Sequence, residues 1–309
     1  MEAESSLASG VRSLDKAYDE ACKRVLSEKQ LLARILHEWV SGFGNVSPER
    51  IAAECFVDEP RIGQDEVERD DLAAQRVTLL TGEDATIAEG KVTFDIRFLA
   101  REPDSRATSG TEVNVEAQNN SSPGYPLTKR GIYYAGRLIS MQGADRVRNS
   151  HYERLDRVVT IWVCTHPTAR NRGTVTRFGI EREDLVGSAC YHPEDYDLME
   201  MVMVCLDDKA EKPSEGTLGL LAMLLVSDLS PQEKVRSMKE DYGMMVTETY
   251  EERVTEMCNL SAGVLAEGME RGREDTLVSA VRDMEETLHL APTEALESAP
   301  PLRLAMGVA

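Results

Sequence analysis

Basic residues are outnumbered in this chain. It carries 35 lysines and arginines against 55 aspartates and glutamates, for a net charge of −20. Taken whole, that deficit argues against a nucleic-acid partner, because neutralising phosphates takes cations. Long apolar runs are lacking as well. No stretch approaches the roughly 20 apolar residues that a membrane-spanning helix needs. The opening MEAESSLASG has neither the basic nor the apolar region of a secretory signal. The expected location is therefore the cytoplasm, with no membrane partner. The six cysteines, at 22, 55, 164, 190, 205 and 258, are scattered. In a reducing compartment they read as small buried hydrophobes rather than disulfides. No G-x-S-x-G, no phosphate-binding G-x-x-x-x-G-K and no G-x-G-x-x-G stands out. Serine-hydrolase, NTPase and dinucleotide chemistry lack support, and no nucleotide cofactor is expected.

What is present is an ordinary globular composition, 41% hydrophobic and 29% charged over 309 residues. That length is enough for one sizeable core with an appendage, or for two modest domains. The charge is also unevenly spread. Between Tyr125 and Ile180 ten basic residues face three acids, so that window is +7 and the remainder −27. Such a segment is either a local nucleic-acid footprint or a basic face whose partners lie on acidic parts of the same protein.

Hydrophobic periodicity predicts a helix from about Leu14 to Gly42, followed by an acidic loop over Glu54–Asp71. The period then changes from 3.6 to 2. Gln75–Leu80 is a candidate strand. Lys91–Ala100 alternates with Val92, Phe94, Ile96 and Phe98 on one face. Thr111–Gln118 alternates again, with Asn114, Glu116 and Gln118 on the polar side, and the two runs read as an antiparallel pair. A helix is expected over Leu127–Gln142 and a central strand over Arg157–Cys164, with an apolar run of ambiguous type at Asp197–Leu206. Beyond Gly216 the signal is helical as far as Met284, and Ala291–Ala309, with three prolines, reads as a poorly ordered tail.

One constellation in this order carries chemistry. A hairpin brings Asp95 beside Glu116, with Gln118 two residues on and on the same side. Two carboxylates in contact repel, and one pKa rises. A divalent cation removes the conflict, and Mg²⁺ typically takes one or two carboxylates together with water and phosphate. The string Phe94-Asp95-Ile96, then Val113-Asn114-Val115-Glu116-Ala117-Gln118, resembles the D…E-x-K signature of PD-(D/E)XK nucleases. It is closer still to the Rpn-like PD-(D/E)XK nuclease family transposases, the recombination-promoting branch. Segments 22–36, 130–139, 158–164 and 257–261 are similar to that branch in the same order, so the resemblance spans roughly residues 18–275.

The resemblance implies a restriction-endonuclease-like α/β core, a mixed sheet flanked by helices, with a C-terminal helical extension. Residues 1–15 would be a flexible N-terminus, 16–208 the nuclease-like domain, 209–288 the helical region and 289–309 a disordered tail. It implies that Asp95 and Glu116 bind Mg²⁺ or another divalent cation, and that Asp95, Glu116 and Gln118 form the catalytic set. Gln118 stands where the superfamily usually has lysine and supplies a neutral dipole instead of a charge. An acid from the first helix would join them, with Glu20, Glu28 and Glu38 as candidates. Arg130, Tyr134 and Arg137 on the following helix would contact DNA. On the residues alone, Tyr133 or Tyr134 reads as core and the arginines as a solvated edge. The implied activity is metal-dependent cleavage of DNA in recombination or mobile elements, and the C-terminal helices would supply homodimerisation or target choice, or else pack on their own domain. The alternative is an inactive nuclease fold that binds nucleic acid or protein. Two C-x-H pairs, Cys164/His166 and Cys190/His192, have an unusual spacing and read as packing rather than as a zinc site.

Overall fold

The computed structural model describes residues 14, 16–62, 66–67, 92–93, 95–101, 110–119, 123–142, 147, 150–207, 209 and 215–263. Asp19–Glu256 form one compact unit. Residues 1–18 and 257–309 form a second unit, whose described residues are all helical. Most of the helix expected to mediate dimerisation, like the tail, lies outside the described residues.

The chain opens with α1 (residues 16–26) and α2 (Lys29–Trp39). The sequence predicts one long helix here, and the structure breaks it at Ser27–Glu28. Glu28 is extended, with φ −66° and ψ 124°, and the Ser27 hydroxyl donates back to the Arg24 carbonyl at 2.9 Å. That bond satisfies a carbonyl at the end of α1. The short α3 (Pro48–Arg50) is capped by Ser47, whose hydroxyl accepts from the Arg50 N–H, and it runs into a π-helical turn, Ile51–Cys55.

Among the described residues eight strands follow: β1 (Arg61–Ile62), β2 (Glu66–Val67), β3 (Val92–Thr93), β4 (Ile96–Ala100), β5 (Thr111–Gln118), β6 (Arg157–Cys164), β7 (Thr174–Gly179) and β8 (Met199–Cys205). Six of them make one mixed sheet in the order β1-β4-β5-β6-β8-β7, and β2 pairs with β3 in a separate ribbon. β5, β6 and β8 are mutually parallel, and β1, β4 and β7 are antiparallel to their neighbours. The fold is thus α/β, a six-stranded mixed sheet flanked by helices. Among the described residues no helix is long and apolar enough to cross a membrane.

Three expectations need correction. The strand expected over Lys91–Ala100 is two strands, because β3 pairs with β2 and β4 pairs with β5. Asp95 therefore sits at the bend before β4 rather than within a strand. β7 has no counterpart in the expected elements. Its sequence, TVTRFG, has few apolar residues, and nearly all of it is exposed, as fits an edge strand. The run at Asp197–Leu206 resolves as strand. The candidate strand Gln75–Leu80 lies outside the described residues.

Register sorts the sheet's faces. Glu112, Asn114, Glu116 and Gln118 of β5 lie level with Val158, Thr160, Trp162 and Cys164 of β6, and these with Met199, Met201, Met203 and Cys205 of β8. Helix α4 (Leu127–Met141) packs on this face through Tyr134, Ala135 and Leu138 against Val158, Trp162 and Met201. It comes close because Gly131 has no side chain. A Cβ there would lie 2.1 Å from Met201 Sδ and 3.0 Å from Trp162 Nε1. The opposite face, with Val113, Val115, Val159, Ile161, Val163, Val202 and Val204, is fully buried. The short α5 (Pro193–Tyr196) precedes β8, and α6 (Gly216–Leu225), α7 (Pro231–Glu240) and α8 (residues 248–263) complete the described chain. Helix α6 starts on Glu38 of α2, whose carboxylate accepts from the Thr217 N–H at 3.1 Å and from its hydroxyl at 2.6 Å.

Candidate active site

The C-terminal half of β5 and the bend before β4 bring two carboxylates together. The Asp95 N–H donates to Glu116 Oε1 at 3.2 Å, and Asp95 Oδ2 accepts from the Ala117 N–H at 2.9 Å. Glu116 is thus tied to the Asp95 backbone, and Asp95 to the backbone of Ala117, the residue after Glu116. The Asn114 amide also donates to Glu116 Oε1, at 2.9 Å. Glu116 is only 3% exposed. Burial, and next the Asp95 charge, push its carboxyl up to about 8. Burial raises the Asp95 carboxyl too, against the opposing pull of Lys23.

Lys23 of α1 is the residue that the sequence reading overlooked. Its ammonium lies 3.0 Å from Asp95 Oδ1, 2.8 Å from Asp19 and 3.4 Å from Glu20. Burial works to lower its pKa, but the two aspartates outweigh that and raise it, so Lys23 is a fixed cation. Arg130 of α4 adds a second positive charge near Glu116. Its guanidinium donates to the Tyr134 hydroxyl at 2.7 Å and to the Tyr125 hydroxyl at 3.2 Å. It stands over the rings of Tyr134 and Trp162, 5.0 Å and 5.2 Å from their centroids. Burial raises the Tyr134 phenol against the hydrogen bond from Arg130, so it stays neutral.

The structure therefore gathers Asp95, Glu116, Arg130 and Tyr134 at one place. Gln118 continues the same face of β5, half-buried and level with Cys164. Arg137 is buried on α4, seven residues beyond Arg130 and thus about 10 Å further along the axis. Of the first-helix acids, Glu20 reaches the site through Lys23, as does Asp19, which the sequence reading did not consider. Glu28 lies beside Arg253 and Tyr250, its carboxyl raised by burial. Glu38 caps α6. The +7 window does not form a single basic face. Arg157 is spent on Glu200 and Asp197 at the other end of β6, and Arg137 is buried.

The donor set at Asp95 and Glu116 is all oxygen, which suits a hard divalent cation and not zinc. Among the described residues no group of three or more His, Cys, Asp or Glu side chains is arranged to hold a metal. Two carboxylates nevertheless match what Mg²⁺ takes when water and phosphate complete its shell. The C-x-H pairs do not converge on such a group: Cys164 is buried, whereas His166, Cys190 and His192 are exposed. Cys164 instead lies level with Cys205 on the neighbouring strand. A hydrogen bond from the Cys164 thiol holds the Cys205 thiol down to about 7, and the same bond pushes Cys164 up.

No family model matches this chain, and no curated protein and no solved structure matches it either.

Proposed function

We propose that this chain is a metal-dependent DNA endonuclease with a restriction-endonuclease-like core. It would resemble the recombination-promoting PD-(D/E)XK nucleases and act in the cytoplasm on DNA of mobile elements or recombination intermediates. One observation carries the reading. Asp95 and Glu116, two acids, are held side by side inside the protein through hydrogen bonds from the Asp95 and Ala117 N–H groups, with Lys23 on Asp95 and Arg130 near Glu116. A structural role alone gives no reason to bury two carboxylates together, because each disfavours the other's ionisation.

Asp95 and Glu116 would hold the divalent cation. When bound, it supplies Lewis-acid activation of water and neutralises charge on the phosphodiester. Arg130 is suited to the phosphate as a charge held in place, since Tyr134 and Tyr125 accept from its two terminal nitrogens and fix its plane. Gln118 can orient water through its amide but contributes no charge.

The second reading, a retired nuclease fold that binds without cutting, is favoured by Lys23. Its ammonium already balances Asp95 with no metal required. Cleavage of supercoiled plasmid in Mg²⁺, Mn²⁺ or Ca²⁺ separates the two. For an enzyme, wild type nicks, EDTA stops it, and Asp95→Ala and Glu116→Ala each lose about 10³-fold or more. Equal inertness of all three proteins hands the site to the binding-only reading.

A further inference from the structure

We propose that Lys23 is the cationic residue of this site, doing from helix α1 the electrostatic work for which position 118 supplies only an amide. The inference rests on the nuclease reading above.

Lysine is rarely buried unless paired. Lys23 is 8% exposed, and its Nζ reaches Asp95 from a different element of the fold. A helix that needed only a surface ion pair already has one in Asp19, four residues earlier. Carrying the ammonium inward to Asp95 adds a desolvation cost that α1 does not require for its own stability. What it gains is a positive charge against a buried pair of acids.

The two cations flanking that pair are built differently. Arg130 is pinned by two tyrosine hydroxyls and stacked on two rings. Lys23 is a point charge on a flexible stem, and three carboxylates lie within 3.4 Å of it. A divalent ion on Asp95 and Glu116 would repel the ammonium from Asp95, and Asp19 and Glu20 would then hold it beside the site. Lys23 then stabilises charge that develops on the phosphate, and it needs no backbone movement to do so.

The test compares wild type with Lys23→Gln, Lys23→Arg and the double variant Lys23→Gln/Gln118→Lys. Plasmid nicking is measured in Mg²⁺, Mn²⁺ binding is measured without DNA, and the thermal transition is recorded for each protein. Lys23→Gln is expected to lower kcat by about 10²–10³-fold while Mn²⁺ binds as tightly as in wild type or tighter, because a repelling charge is gone. Lys23→Arg keeps kcat within about tenfold. Returning a lysine at 118 regains at least about tenfold over Lys23→Gln. The proposal is overturned if Lys23→Gln nicks at the wild-type rate. It is equally overturned if Mn²⁺ affinity falls in step with kcat, which makes Lys23 a prop for Asp95. Should Lys23→Gln lose its thermal transition, Lys23→Arg decides: a folded arginine variant as inert as Asp95→Ala sinks the idea. A wild-type protein that nicks under no condition removes the nuclease reading itself, and this inference with it.

Discussion

Two glutamates on the central strands are equally buried, at 3% exposed, and are treated in opposite ways. Glu200, near the start of β8, accepts from Arg157 at 2.6 Å and from the Ser41 N–H at 3.2 Å. Arg157 also binds the Ser41 and Asp197 carbonyls, so charge and hydrogen bonds close on themselves. Glu116, toward the other end of β5, is set against a second acid. The first end is built as a clamp that ties α2 to β6 and β8. The second is built with its electrostatics unfinished, at the carboxyl ends of parallel strands, where open α/β sheets bind ligands. Burial of a carboxylate is thus uninformative until its partners are counted.

The contrast can be broken from the closed end first. Arg157→Leu leaves Glu200 buried without its counter-charge. Denaturant unfolding should show a loss of about 3–5 kcal/mol, whereas Arg157→Leu combined with Glu200→Met should recover much of it. At the open end the sign reverses. The Glu116 carboxyl binds its proton more tightly folded than unfolded, so its contribution to stability is full below the unfolded pKa and is lost as pH rises toward about 8. In EDTA, Glu116→Gln should therefore melt with wild type near pH 5 and above it at pH 9, by about 2–4 kcal/mol. A Glu116→Gln protein that is destabilised at both pH values refutes the idea of a strained site. The smallest effect is expected at the Glu38 cap. Glu38→Ala should cost about 1 kcal/mol in denaturant unfolding.

Much of the open end was legible in the sequence. Alternation at 91–100 and 111–118 puts Asp95 and Glu116 on the polar faces of two neighbouring runs, but the bend that takes Asp95 out of β4 leaves no mark in it. Lys23 was not legible, because Asp19 and Lys23 at i, i+4 look like any solvated helix pair. Its reach to Asp95 depends on a tertiary contact between α1 and the bend before β4. The break between α1 and α2 left no trace either, having neither glycine nor proline to mark it. β7 escaped for the opposite reason: an edge strand exposed on both sides has no apolar face to alternate. The local charge excess at 125–180 was real as composition, but the fold spends part of it internally, on Arg157 and Arg137.

The Cys164–Cys205 step has a kinetic use. Cys205 has a thiol poised near neutrality, yet it lies under the edge of the sheet, level with Thr174 of β7 and 4% exposed. An alkylating dye will take the exposed Cys190 at once. Cys205 can be reached only through local opening, so its own labelling rate, read by peptide mapping apart from the other cysteines, times the opening of the sheet around it.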